Sequence, residues 1–108
     1  LTAGQNRAWC ALVDGQPIAA AGLIDVGGGR RLAWALISPD AGRWMLPLHR
    51  TIADHLTVLD HRRIECVTAA NFLPARRWAE MLGFQCEGTM RAYCQDASDA
   101  LMWARVHG

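Results

Sequence analysis

The chain has 108 residues and a mass of 11.9 kDa, with 52% hydrophobic residues, 19% charged residues and a formal net charge of +1. This length fits one domain spanning residues 1–108, and the apolar fraction is close to that of globular proteins, which excludes a disordered chain. The near-neutral charge argues against nucleic-acid binding, which requires many phosphates to be neutralised. No apolar run approaches the roughly 20 residues that cross a bilayer, so no membrane partner is expected.

Neither the cysteines nor the histidines have the spacing of a metal site. Three of the histidines, His49, His55 and His61, do not recur at the interval that brings two ligands onto one helix face. The cysteines form no Cys-x-x-Cys pair and have apolar neighbours, so we expect small buried residues in a reducing cytoplasm. They are Cys10, Cys66, Cys86 and Cys94.

The first third of the sequence predicts three consecutive antiparallel strands. The first strand ends at Asp14-Gly15, a strong hairpin signal, and the second ends at a run of three glycines. Short turns between consecutive strands are typical of an antiparallel meander. The predicted strands are Arg7 to Val13, Ile18 to Val26 and Arg31 to Ile37.

A change of period then predicts a helix. Apolar residues recur every three or four positions at Met45, Leu48, Ile52, Leu56 and Leu59. Pro47 falls in the first turn of this helix, where a missing N–H group costs no hydrogen bond. The segment His61-Arg62-Arg63 ends the helix.

The second half predicts one more helix between strands. The helix opens at Asn71 and Pro74, uses Ala75, Trp78 and Leu82 as its apolar face, and stops at Gly83. Around it, the predicted strands are Ile64 to Ala69, Thr89 to Cys94 and Leu101 to Val106. The predicted order is β-β-β-α-β-α-β-β, a mixed and mainly antiparallel sheet of the α/β (α+β) class with helices packed on it.

The segment from Ser38 to Arg43 is a candidate anion site, because a strand runs through it into a helix. Backbone N–H groups at the start of a helix attract anions, and an arginine can add a charge-assisted bond. A single glycine, Gly42, lies in the turn, so the segment is neither a Walker loop nor a dinucleotide fingerprint. An ordinary strand-to-helix turn has the same pattern.

The stretch from Asn71 to Phe84 places an Asn before a helix that ends in Leu82-Gly83-Phe84, and Gln85 to Arg91 continues it. Together with the order of elements, this stretch resembles the GNAT family of N-acetyltransferases, and in particular its phage- and prophage-associated members. The resemblance spans Arg7 to Val106. Members usually have a further strand and two helices before the first strand seen here, so the resemblance implies reduced N-terminal elements.

The resemblance implies acetyl-coenzyme A (acetyl-CoA) as the cofactor. Its pantetheine arm would pair with the splayed strand end at Leu36, Ile37 and Ser38. Its pyrophosphate would lie on the turn that begins with Asp40, Ala41, Gly42 and Arg43. Asn71 and the helix after it would line the other wall.

The resemblance also directs attention to a proton donor for the leaving thiolate. Many members use a tyrosine in the second of these helices, where alignment on Leu-Gly-Phe places Ala79. Tyr93, the only tyrosine of the chain, is therefore the catalytic candidate, and it falls in a predicted strand. The alternative is that Tyr93 is a structural residue of that strand, with its hydroxyl hydrogen-bonded at the edge of the sheet. Asp25 could serve as a base toward an amine or could be a solvated residue beside the glycine turn.

Two functions follow from this resemblance. The first is an acetyl-CoA-dependent N-acetyltransferase that moves an acetyl group by direct transfer to an unidentified small-molecule or protein amine. The second is a catalytically inactive protein of the same fold that serves as a binding or phage-assembly module. A sheet that lacks the family's N-terminal strand and helices leaves apolar surface exposed at its first strand. A second copy of the chain could cover that surface, so we also expect a homodimer.

Overall fold

The computed structural model describes residues 7–58 and 62–106, which form one six-stranded sheet with two α-helices and a 3-10 helix. The 3-10 helix, Pro39–Trp44, leads directly into the first α-helix. The α-helices are α1 (Met45–Val58) and α2 (Leu73–Met81). The strands are β1 (Arg7–Val13), β2 (Gln16–Gly27), β3 (Arg30–Ile37), β4 (Arg63–Ala69), β5 (Gln85–Met90) and β6 (Ala100–Val106).

The strands are arranged in the order β1-β2-β3-β4-β6-β5. All neighbours are antiparallel except β3 and β4, which run parallel. The antiparallel meander at the start of the chain is confirmed, as are the position of Pro47 in the first turn of α1 and the mixed α/β class. Leu59 and His61, predicted at the end of α1, lie outside the described residues.

The fifth strand was predicted in the wrong place. It runs from Gln85 to Met90 instead of Thr89 to Cys94. The chain leaves the sheet after Met90 because Ala92 adopts a positive φ of 54° and its N–H group donates to the Asp99 carboxylate at 2.9 Å. Tyr93 therefore lies in the loop that joins β5 to β6 and not in a strand.

One face of the sheet, which we call the core face, carries the hydrophobic core and both helices. Its buried strand residues include Leu23, Ile64 and Trp103, and the indole of Trp103 donates to the Thr68 hydroxyl at 2.9 Å. Helix α1 contributes Leu56, whose carbonyl accepts a 2.9 Å hydrogen bond from Arg105 on β6. Both α1 and α2 are thereby fixed to the same side of the sheet.

The predicted apolar face of helix α2, Ala75, Trp78 and Leu82, is half-buried, and it did not include the residue that α2 buries fully. Ala79 is its buried residue, whereas Trp78 is half-buried and donates its indole N–H to His49 Nδ1 of α1 at 3.0 Å. The predicted stop at Gly83 is confirmed: its φ is +90°, and the N–H group of Phe84 bonds to the carbonyl of Ala79 at 3.0 Å. A non-glycine residue at 83 would strain this left-handed position.

The opposite side of the sheet, which we call the open face, carries apolar side chains exposed to solvent. A Cβ atom at Gly22 would lie 2.5 Å from the indole of Trp34, so glycine allows this ring to lie on the neighbouring strand. The exposed fraction of Leu36 on the same face reaches 70%. Exposed side chains of this size commonly mark interaction surfaces when they adjoin one another.

The prediction that the cysteines are buried is wrong for most of them. Cys10 and Cys86 are exposed, and Cys94 is partly exposed in the loop before β6. Cys66 is half-buried against the core, and burial raises the pKa of its thiol to about 12. Such a thiol stays protonated at neutral pH and is a poor nucleophile. None of the four forms a disulfide.

Two arginines enclose a carboxylate on the open face. The Glu65 side chain lies between Arg30, at 2.9 Å, and Arg63, at 2.6 Å, so it links β3 to β4. Arg63 also reaches Glu87 on β5. The two guanidinium groups hold the pKa of Glu65 below its usual range, because they donate hydrogen bonds to the charged form.

Glu65→Gln is expected to reduce the free energy of unfolding at pH 7 by about 1 kcal/mol, since partly exposed ion pairs contribute modestly. Because the folded pKa is depressed, this contribution is present above the unfolded pKa and is lost as pH falls through the folded pKa. Urea titrations should therefore show a gap between wild type and variant at pH 7 that closes at acid pH. Glu80→Gln, at an exposed position of α2, is the matched control. A gap that persists unchanged at acid pH would contradict the ionic origin.

No helix within the described ranges has the length and apolar character needed to cross a bilayer.

Candidate functional site

The parallel pair of strands, β3 and β4, separates part of the way along its length. The two strands are paired only from Arg30 and Arg63 to Leu32 and Glu65. Beyond that point β3 continues to Ile37 bonded to β2, and β4 continues to Ala69 bonded to β6. A wedge-shaped gap therefore opens between the ends of the two strands.

Backbone groups line both sides of this gap. In residues 33–37 of β3 and 66–69 of β4, the edges that face each other have no ladder partner among the described residues. Unpaired strand edges present N–H and C=O groups that can bond to an extended ligand containing amides. Leu36 and Ile37, predicted to bind the pantetheine arm, lie on the β3 side of the gap.

The turn that follows β3 is held back against β2. The N–H group of Ser38 donates to the carbonyl of Ile18 at 2.8 Å, and the N–H group of Ala41 donates to the carbonyl of Ser38 at 3.0 Å. Ala41 is fully buried, which anchors the 3-10 helix. At Gly42 a Cβ atom would meet nothing within 4 Å, so the backbone there faces open space.

Arg43 lies beside this open space at the start of α1. Its guanidinium carbon is 5.5 Å from the centroid of the Trp44 ring, a cation–π geometry that keeps the charge at the turn. The predicted anion site thus has a cation in place. The side chain of Asp40, predicted in the same turn, lies outside the described atoms.

The other wall of the gap is the turn between β4 and α2. Asn71 is exposed in this turn, two residues before the helix begins. Arg76, from the first half of α2, reaches back and donates through Nη1 to the carbonyl of Ala70 at 3.1 Å. Its Nε atom is buried and has no partner among the described residues, so one donor beside the gap is unsatisfied.

Tyr93 lies at the end of the sheet where the gap opens. The loop that carries it is tied to the end of β4, because the N–H group of Ala70 donates to the carbonyl of Asp99 at 2.9 Å. The exposed fraction of Tyr93 is 60%, so its hydroxyl is accessible. The structure therefore brings the catalytic candidate to the same end of the sheet as the predicted cofactor residues.

Asp25 does not belong to this site. The end of β2 that carries Asp25 pairs with the start of β3, whereas the gap opens at the end of β3. Its carboxylate accepts a 2.8 Å hydrogen bond from the N–H group of Gly27 in the following turn. The structure therefore agrees with Asp25 as a residue of the glycine turn. It does not agree with Asp25 as a base toward an amine bound at the gap.

A groove of about 410 Å³ separates the first turn of α1 from one side of α2. Its position follows from the hydrogen bond between Trp78 and His49, which joins the two helices. Because Nδ1 of His49 accepts this bond, a neutral His49 carries its proton on Nε2. The lining residues are Met45, Leu46, His49, Pro74, Arg77, Trp78 and Met81.

This groove is the part of the site that sequence analysis missed. Pro74, Arg77, Trp78 and Met81 have the spacing of one helical stripe, which was available as a signal. The sequence analysis chose the adjacent stripe of Ala75, Trp78 and Leu82 as the apolar face of this helix. Residue spacing within one helix does not show that α1 lies opposite the other stripe.

Among known proteins, this chain is similar to solved structures and not to any family model or curated sequence. No family model matches the sequence, and no curated protein matches it. Solved structures do match: a spermidine N-acetyltransferase (SpeG mutant) from Vibrio cholerae has a TM-score of 0.75 at 17% identity, covering 96% of this chain and 67% of its own. An acetyltransferase of the GNAT family from Streptococcus pneumoniae has a TM-score of 0.78 at 16% identity, covering 99% and 70%.

A third similar structure contains a ligand. The ribosomal L7/L12 alpha-N-protein acetyltransferase RimL, in complex with coenzyme A, has a TM-score of 0.76 at 14% identity, covering 95% of this chain and 63% of its own. At these identities the likeness shows the fold. The chain therefore has the fold of these structures over nearly its whole length, as the resemblance implied.

Proposed function

We propose that this chain is an N-acetyltransferase that uses acetyl-CoA and transfers the acetyl group directly to an amine. The observation that supports this most is the gap between β3 and β4, because it leaves two strand edges free beside the start of α1. The gap occurs in a fold shared with acetyltransferases, one of which was solved with coenzyme A.

The residues around the gap fit coenzyme A by their chemistry. Leu36 and Ile37 would offer backbone groups on the β3 side of the gap to the amides of the pantetheine arm, whereas the N–H group of Ser38 already donates to the carbonyl of Ile18. Gly42 gives open space at the turn, and Arg43 supplies a positive charge for the pyrophosphate. Across the gap, Asn71 is exposed in the turn before α2, so its side-chain amide can offer a hydrogen bond on this wall.

When bound, acetyl-CoA supplies the acetyl group as a thioester. The strand end would position the reacting groups, and N–H donors there would stabilise negative charge on the carbonyl oxygen. The attacking amine must be neutral, so water or a side chain has to accept its proton. Tyr93, exposed on the loop at this end of the sheet, is the residue that we propose donates a proton to the departing sulfur.

The acceptor is an amine of unassigned identity. Two of the similar structures are named for spermidine and for a ribosomal protein. On the open face next to the end of β3, a shallow apolar depression of about 340 Å³ is lined by residues that include Cys10, Ile18 and Ile37. None of its lining residues is charged, which favours an acceptor with an apolar part near the amine.

Acetyl-CoA is expected to raise the melting temperature, since a ligand that binds only the native state stabilises it. At about ten times Kd the stabilisation is about 1.4 kcal/mol, which for a domain of this size corresponds to roughly 5–10 °C. Arg43→Ala should reduce the shift, and Arg91→Ala, at an exposed loop position, should leave it unchanged. If millimolar acetyl-CoA leaves the melting temperature unchanged, the proposed enzymatic function is wrong and the catalytically inactive binding or phage-assembly module is favoured.

We also propose that the chain forms a homodimer through the edge strand β1. The edge position of this strand and its exposed Trp9 and Leu12 support this proposal. Sedimentation equilibrium is the direct measurement. The cytoplasmic location and the phage association stay predictions from the sequence.

A further inference from the structure

The two edges of the sheet differ in their protection against pairing with another strand. Edge strand β5 contains a bulge, in which Glu87 is the extra residue between Cys86 and Gly88. The carboxylate of Glu87 is also held by Arg63. Because bulges and charged side chains keep a sheet edge from extending, the β5 edge is protected.

Edge strand β1 has no such protection. Residues 8–13 include no charged residue, glycine or proline, and the strand is continuous over Arg7–Val13. The register shift between β1 and β2 arises from Ile18, an extra residue on β2, so β1 itself is regular. Its outer side has no strand partner among residues 7–58 and 62–106. A regular apolar edge of this kind can pair with a further β-strand.

The sequence of β1 is self-complementary in size about Cys10, its central residue. Because side chains alternate between faces, Trp9 and Ala11 share the core face, and Ala8, Cys10 and Leu12 share the open face. In an antiparallel pair of β1 strands with Cys10 opposite Cys10, Trp9 faces Ala11 of the second copy. Leu12 likewise faces Ala8 of the second copy. Each large side chain therefore meets a small one on the same face of the sheet.

The two ends of β1 are complementary in charge. Arg7 begins the strand, and Asp14 directly follows its last residue. The antiparallel arrangement brings the basic end of each copy to the acidic end of the other, whereas a parallel arrangement would bring like charges together. Charge and size therefore favour the same partner, a second copy of this chain, in the same orientation.

We propose that two copies of this chain pair through β1 in antiparallel register, with Cys10 facing Cys10 across a two-fold axis. This pairing joins two six-stranded sheets into one continuous sheet and covers the exposed parts of Trp9 and Leu12. It rests on the homodimer proposed above, for which it names the residues that meet, and it does not depend on acetyl transfer. A two-fold interface is closed, so the assembly ends at two copies.

Disulfide cross-linking of the whole chain tests this register. Facing residues of antiparallel strands have Cα atoms about 4.5–5.5 Å apart, which is within the range of a disulfide. A short pulse of diamide, which oxidises two thiols to one disulfide, should convert wild type to a covalent dimer of twice 11.9 kDa on a non-reducing gel. Cys10→Ser should lose this dimer.

Two variants control for other thiols and other registers. Cys86→Ser should keep the covalent dimer, because Cys86 is also exposed but lies on the opposite edge strand. The double variant Cys10→Ser/Ala11→Cys moves the thiol by one position. It should lose the covalent dimer, because position 11 faces Trp9 and not its own copy.

Sedimentation equilibrium gives a second test that needs no thiol. Leu12→Glu should raise the dissociation constant of the dimer at least about tenfold, because it places an unpaired carboxylate in an apolar contact. The variant should fold normally, since Leu12 is 61% exposed in the single chain. Val106→Glu is the matched control, because Val106 is 64% exposed but lies on the inner strand β6.

The outcomes separate this pairing from dimerisation itself. A dimer that diamide does not link through Cys10, or that Leu12→Glu leaves intact, would overturn the pairing of β1 strands and leave a homodimer of another geometry. A wild-type chain that sediments as a monomer at micromolar concentration would overturn the proposed homodimer, and this inference with it. Neither result changes the proposed acetyl transfer, which the thermal shift with acetyl-CoA tests separately.

Discussion

Trp103→Ala is expected to lower the free energy of unfolding by about 3–5 kcal/mol, the usual loss when a buried aromatic residue is truncated. Only 4% of Trp103 is exposed, and it belongs to the core shared by β2, β4, β6 and both helices. The change also removes the hydrogen bond to the Thr68 hydroxyl. Urea unfolding followed by circular dichroism measures the loss.

The matched control is Trp9→Ala on the edge strand β1. Trp9 is 37% exposed, and its ring meets His55 edge-on with centroids 5.0 Å apart. Removing it should cost less than removing Trp103, since more than a third of Trp9 is already exposed to solvent in the folded protein. Similar losses for the two variants would mean that the core does not centre on β6.

Tyr93→Phe is expected to lower kcat for acetyl transfer about a hundredfold, the lower end of the range for a positioned general acid. The KM for acetyl-CoA should stay constant, because the hydroxyl would act only when the thiolate leaves. Steady-state kinetics with an accepted amine give both parameters. Since the side chain is largely exposed, the variant should fold normally.

The acetyl-CoA thermal shift of Tyr93→Phe serves as the control and should equal that of wild type. An unchanged kcat would assign proton donation to water or another group. A kcat decrease accompanied by a lost thermal shift would instead place Tyr93 in cofactor binding.

Local patterns in the sequence predicted most strands and both helices, because alternation and helical spacing depend on neighbouring residues. The boundaries of β1 were predicted as they stand, and Gly83 as the end of α2 follows from its need for a positive φ. The strand at Thr89 failed because the decisive contact is distant in sequence: Asp99 bonds to the N–H group of Ala92. Alternation could not reveal that contact.

The sequence predicted those parts of the candidate site that consist of consecutive residues. It did not predict the parts that depend on how separate helices and strands pack together. The segment from Ser38 to Arg43 leads from a strand into a helix, and this local pattern predicted a candidate anion site. The groove beside Arg77 requires α1 and α2 to stand at a particular distance, which the hydrogen bond between Trp78 and His49 sets. The burial of Glu65 likewise depends on two arginines from neighbouring strands.

The short pairing of β3 with β4 joins the two halves of the sheet, β1-β2-β3 and β4-β6-β5, at one end of their common edge. The contacts there are three paired positions, the Arg30–Glu65 ion pair, and hydrogen bonds from Arg62 and Arg63 to the glycine turn before β3. A ligand bonded to both strand edges would join the two halves at the other end, where the gap opens. The cofactor would then act as a structural brace that makes the two halves move as one.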